Sequence, residues 1–190
     1  MTATINTYKT KNQIFKDFIG LTNTALSDFG ITGWKVKRMY QNIKSVDLEP
    51  FVLIDLTDKK QTGSQYRSIY KSVINENTKY YRKYHAKQEI TIRFSATIRN
   101  KNTETVNDFD SIDILEILKN YLQSYEGIDA LALHGYAQYR ATDIKQQNFQ
   151  NDDDNVQFLP FFECTYLYTD EWQSQINNIS KVIEKNRYRV

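Results

Sequence analysis

Cysteine is almost missing from this chain. Cys164 is the only one in 190 residues, so no internal disulfide can form and no four-cysteine zinc site can be built. It lies in an apolar run, where a thiol reads as an inert core residue and not as a nucleophile. Histidine is scarce too: there are 2. His85 and His134 are far apart and fall in no HExxH or His-x-His pattern, so each reads as a surface or interface residue. The 6 glycines build no GxxxxGK[ST], GxGxxG or G-x-S-x-G motif, which removes the phosphate cradles and the serine-hydrolase elbow. No apolar run approaches the roughly 20 residues that span a bilayer. Met1-Thr2-Ala3-Thr4-Ile5-Asn6 lacks the basic start and apolar stretch of a secretory signal. The expectation is a soluble protein made in the cytoplasm with no membrane partner. The net charge of +2 gives no bulk pull toward nucleic acid or anionic lipid.

What is present supports a folded core. Hydrophobic residues make up 40% and charged residues 25% of the chain, a balance that excludes wholesale disorder. The 14 Tyr and 10 Phe supply ring area suited to cores and interfaces, because Tyr buries a ring while keeping a polar tip. The length fits one domain over 1–190, and no internal repeat, low-complexity tract or linker breaks it.

Hydrophobic spacing orders the elements. Ile14, Phe15, Phe18, Ala25, Leu26 and Phe29 recur at helical spacing from Asn12 to Phe29, interrupted by Gly20 and stopped at Gly30. Trp34 to Asn42 reads as a strand, and Phe51 to Thr57 as another behind Pro50. The basic, Tyr-rich stretch 58–87 reads as a long hairpin or arm. Ile90, Ile92, Phe94, Ala96 and Ile98 alternate with polar residues, the clearest strand in the chain. Phe109 to Tyr125 reads as a helix ended by Gly127, with Asp108, Asp110 and Asp113 at its N-terminal turn, where the dipole favours negative charge. Leu133 to Ile144 reads as a strand and Lys145 to Asn155 as a polar loop. Val156, Phe158, Phe162, Cys164, Tyr166 and Tyr168 form one face of a last long strand. Trp172, Ile176, Ile179 and Ile183 then predict a C-terminal helix or docking tail over 171–190. The fold class expected is α+β, a mostly antiparallel sheet flanked by two or three helices.

Chemical motifs are weak. Asp152-Asp153-Asp154 lacks the alternating ligands and glycine of a calcium loop and reads as a solvated acidic loop, one that would repel DNA if it faced a channel. Asp47 with Asp58-Lys59-Lys60 resembles the Mg²⁺ site of restriction-type nucleases. The stretch from Asp58 to Gly63, however, reads as a strand exit and turn, the wrong place for that motif. Lys79-Tyr80-Tyr81-Arg82-Lys83-Tyr84-His85 interleaves bases and rings as a single-strand nucleic-acid platform does, but a Tyr-rich arm packing on a neighbour is the simpler reading. No catalytic, metal or cofactor residue is expected.

Charge is segregated along the chain. Lys71, Lys79, Arg82, Lys83 and Lys87 face only Glu76 in one segment. Glu104, Asp108, Asp110, Asp113 and Glu116 form an acidic one. A basic and an acidic surface on one subunit suit head-to-tail association, which closes into a ring when the rotation permits. Lys79, Arg82, Lys83, Asp108, Asp110 and Asp113 are therefore the candidate subunit-interface residues.

The order of segments also resembles a known layout. An N-terminal helix leads into Trp34-Lys35-Val36-Lys37-Arg38-Met39-Tyr40-Gln41-Asn42. Then come the strand at Phe51 to Thr57, Gln88-Glu89-Ile90-Thr91-Ile92-Arg93-Phe94-Ser95-Ala96-Thr97, and the helix from Ile112 to Leu122. Gly135-Tyr136-Ala137-Gln138-Tyr139-Arg140 and Asp154-Asn155-Val156-Gln157-Phe158-Leu159-Pro160-Phe161-Phe162-Glu163 complete the series. This is similar to the bacteriophage neck and tail terminator proteins from about Ile14 onward, apart from the long basic stretch 58–87. The resemblance implies a structural virion protein without cofactor. It would form a hexameric ring that caps the tail tube or joins it to the head connector, touching tube or sheath proteins while double-stranded DNA passes through. Asp152, Asp153 and Asp154 would face that lumen. A related head–tail connector or adaptor is the alternative, with the nuclease and single-strand modules behind it.

Overall fold

A computed structural model describes residues 3–5, 8–39, 50–74, 77–97, 109–150 and 156–176. Among them lie three helices, α1 (Lys11–Asp28), α2 (Ser111–Gln123) and α3 (Tyr125–Leu133). The strands are β1 (Ala3–Ile5), β2 (Lys35–Arg38), β3 (Phe51–Ile74), β4 (Asn77–Thr97), β5 (Ala137–Ala141), β6 (Lys145–Gln150) and β7 (Val156–Ile176). The fold is α+β, as the spacing of apolar residues predicts.

The strands form one mixed sheet in the order β1-β7-β4-β3-β2. One edge of β7 is tiled by three short antiparallel partners: β6 against Val156 to Phe161, β5 against Cys164 to Leu167, and β1 against Trp172 to Ser174. The other edge meets β4. Arg93 reaches Glu163 and Thr91 reaches Thr165, so numbers rise along one strand as they fall along the other, the mark of antiparallel pairing. The exception is β2, which runs parallel to β3 with Lys35 opposite Phe51.

The chain divides into two compact units. One comprises Thr10–Lys60 and Glu89–Tyr168; the other comprises Met1–Lys9, Gln61–Gln88 and Thr169–Val190. The first holds the three helices and the main core. Alternate strand positions Val52, Ile54, Ile90, Ile92, Phe94, Ala96, Phe162, Cys164, Tyr166 and Tyr168 lie in one cluster with α1 and α2, while Phe51 and Leu53, at the intervening positions of β3, are buried outside that cluster. Phe18 of α1 sits at its centre, 4.7 Å from the Tyr166 ring and 5.1 Å from Tyr136. Phe94 stacks on Phe162 at 5.0 Å. Each such ring contributes about 1.5–3 kcal/mol by burial, and each pairing adds about 0.5–1.5 kcal/mol.

Local signals set the helix ends. Thr10 Oγ1 accepts from Gln13 N at the start of α1. Gly30, at φ 67°, ends it, with Ile31 N donating to Leu26 O at 2.8 Å; the left-handed turn of that motif favours glycine. Asp110 and Asp113 form a capping box on α2.

Several boundaries differ from the sequence expectation. The helix does not end at Gly127: after a break at Ser124 the chain re-enters α3, and Gly127 lies in its first turn. A Cβ at 127 would overlap the Tyr121 carbonyl oxygen, so this glycine permits a close helix–helix turn instead of a stop. Leu133 therefore ends a helix and starts no strand, and residues 145–150 form β6 and not a loop. Asp58 to Gly63 lies within β3, not at a strand exit. Trp172 to Ile176 continues β7 and is not helical. Ile179 and Ile183 lie outside the described residues, as do Ile98 and the region from Gln41 to Glu49.

Candidate functional site

The unit containing Gln61–Gln88 is held by surface chemistry. Among its described residues only Ala86 and Asp170 are buried. Tyr84 stacks on Trp172 at 5.4 Å with an interplanar angle of 8°, and Arg67 lies over the Tyr84 ring at 5.6 Å. Glu171 takes Lys83 Nζ at 2.7 Å on one oxygen and His85 Nδ1 at 2.8 Å on the other. The Lys83 hydrogen bond, foremost among these contacts, holds the Glu171 carboxyl below its ordinary pKa. Arg82 Nη1 donates to Tyr84 Oη at 3.4 Å.

Of the candidate interface residues, Lys83 is thus engaged within its own sheet, and Arg82 is half-buried beside Tyr84. Lys79 lies on β4. Asp110 accepts from Ile112 N at 2.7 Å and Asp113 N at 2.8 Å, while Asp113 accepts from Asp110 N at 2.9 Å. Both carboxylates remain exposed, so the capping role leaves their charge available to a partner. Asp108, Asp152, Asp153 and Asp154 lie outside the described residues.

The enzymatic leads gain little from the geometry. Asp58 is exposed and Lys60 Nζ is paired with Glu89 at 2.8 Å; Asp47 lies outside the described residues. Among the described residues, no three His, Cys, Asp or Glu side chains converge to hold a metal ion. Burial pushes the Cys164 thiol up to about 11 against the opposing hydrogen bond from Tyr166, and a thiol so protonated is a poor nucleophile. Asp17 is buried, with Gln13 Nε2 donating at 2.9 Å, Tyr136 Oη donating at 2.9 Å and His134 Nδ1 at 3.6 Å. These contacts tie α1 to the turn between α3 and β5. A buried carboxylate needs such partners, and the constellation reads as a clamp in the core.

Sequence spacing missed one surface. Helix α3 is apolar on two sides. Gly127 and Leu131 face the core. Tyr125, Ile128 and Leu133 face outward at 87%, 48% and 89% exposure. Phe29, edge-on to Tyr121 at 6.5 Å, is 52% exposed. Exposed Asp28 ends α1, and exposed Glu126 and Asp129 lie on α3. From Ser111 to Leu133 the acids Asp113, Glu116, Glu126 and Asp129 outnumber one cation, Lys119, which pairs with Asp143 at 3.1 Å. The signal that reveals this face is the continuation of helical spacing past Gly127.

Comparison with known families gives the class: structural proteins of the bacteriophage neck. The matching family model is that of the E217 gateway protein gp29, a phage head–tail gateway protein; it covers residues 19–178, and the chain belongs to this family. No curated protein sequence matches the chain. No helix among the described residues is long and apolar enough to cross a membrane.

Proposed function

We propose that this chain is the repeating subunit of a ring, of about six copies, at the neck of a tailed phage particle. The ring joins the head connector to the tail tube, in the terminator position or the neighbouring connector one, and lets double-stranded DNA pass without gripping it. The observation that carries this reading is membership of the gateway family over residues 19–178.

The charge layout supports it. Between Gln61 and Gln88 the chain carries Arg67, Lys71, Lys79, Arg82, Lys83 and Lys87 against Glu76, while α2 and α3 are acidic. Two unlike surfaces on one copy favour a heterologous contact, which either closes or grows into a filament. In this reading the stretch 58–87 reaches a neighbour as an arm. Asp108, Asp110 and Asp113 receive it, and Asp152, Asp153 and Asp154 line the lumen, where like charge keeps DNA from adhering.

Light scattering on the eluting protein tests the proposal. The expected mass is a multiple of the 22.5 kDa chain near six. Lys79→Glu with Arg82→Glu should leave a folded monomer; Lys83 is better left in place, because Glu171 already holds it. Undisturbed assembly of that double variant counts against the charge-led contact.

A further inference from the structure

A helix with apolar residues on opposite faces needs cover on both. The inward face of α3 has the core. The outward face carries Tyr125, Ile128 and Leu133 on one short helix, with Phe29 against Tyr121 of the preceding one; Glu126 and Asp129 are acidic residues of α3 itself, and Asp28 ends α1 next to Phe29. Apolar residues scattered singly over a surface need no explanation; several on one element, flanked by charge of one sign, mark a contact surface. The acids also narrow the occupant, since phosphate backbones and anionic lipid surfaces would both be repelled. A suitable partner brings cations and its own exposed rings or aliphatic side chains.

This chain carries such a segment. On β3, Tyr66 is 67% and Ile69 43% exposed, and Arg67 between them is exposed too. The rest of Gln61–Gln88 is basic apart from Glu76. We propose that the outward face of α3 is a socket that receives the Tyr66-to-Ile69 stretch of a second copy. Apolar contact forms between Ile69 on one side and Tyr125, Ile128 and Leu133 on the other, and Arg67, which shares the face of β3 with Ile69, meets Asp129 or Glu126; Tyr66 points to the opposite face, against His85. Socket and plug are different surfaces, so each copy uses one of each. The inference deepens the ring reading by naming the joint, and rests on it.

Two variants of the full chain test it. One tagged copy carries Leu133→Cys and the other Ile69→Cys. Both positions are exposed, and Cys164 stays silent because it is buried. The two are mixed at a concentration where the unmodified protein assembles, then treated with a short bismaleimide. The expected product is mainly the mixed cross-link, which joins the substituted α3 of one copy to the substituted β3 of the other. In parallel, Asp129→Lys or Arg67→Glu alone should raise the concentration for half-assembly about tenfold, with the pair together restoring most of it. If the protein assembles but only like-with-like cross-links form, or none, the joint is overturned while the ring reading stands. The same holds if either charge variant assembles unchanged. If the unmodified protein never exceeds one copy at any concentration, the ring reading falls and the joint with it.

Discussion

The two units of this chain solve the same problem, ordering long strands, by different means. In the unit of Thr10–Lys60 and Glu89–Tyr168, one face of the sheet is sealed by helices, and rings such as Phe18, Phe94 and Phe162 are fully buried. In the unit containing Gln61–Gln88, the strands are joined by a Tyr84–Trp172 stack and a Lys83–Glu171–His85 bridge, all at half-buried positions. Burial is worth several kcal/mol per ring, whereas exposed ion pairs are worth about 0–1 kcal/mol. The first unit therefore supplies most of the stability, and the second is held by polar and ring contacts at half-buried positions.

Graded substitutions would break or sharpen that contrast. The largest effect is expected from Phe94→Ala, which empties the space between Phe18 and Phe162 and should cost about 3–5 kcal/mol in denaturant unfolding. Gly127→Ala comes next. Its Cβ would strike the Tyr121 carbonyl, and displacing the α2–α3 turn should cost about 1–3 kcal/mol, read as a lowered melting temperature. Tyr136→Phe removes one donor from buried Asp17 and should cost a comparable or smaller amount, about 1–2 kcal/mol. Glu171→Gln should change global stability by less than about 1 kcal/mol. Its effect belongs to pH. The Glu171 carboxyl is held below its ordinary pKa, chiefly by Lys83. Its contribution is therefore complete above the unfolded-state value and fades as pH falls through the lowered native one. Trp172 fluorescence in a Trp34→Phe background should follow that fading, and Glu171→Gln should abolish the transition.

Much of the sealed unit is legible from residue spacing, because alternation in Ile90, Ile92, Phe94 and Ala96 and the helical recurrence of Ile14, Phe15 and Phe18 report burial directly. The places that differ share a cause. Gly127 carries the usual mark of a helix stop, yet its missing side chain serves a close approach to Tyr121. Asp58 to Gly63 is polar enough for a turn, yet backbone pairing in a long hairpin does not require apolar side chains. Trp172 and Ile176 share helical spacing, but β1 pairs with Trp172 to Ser174 and Tyr84 stacks on Trp172. The partnership of Lys83 with Glu171 spans distant parts of the chain and leaves no local trace. The acidic N-terminal turn of α2 is readable because caps are local, whereas the stop-like glycine at Gly127 hides the outward face of α3.

The most direct test of the central claim is electron microscopy of the purified phage particle. The predicted result is a closed ring of this chain at the neck, between connector and tail tube, with the DNA path through its centre. A particle complete and infectious without this polypeptide would contradict it.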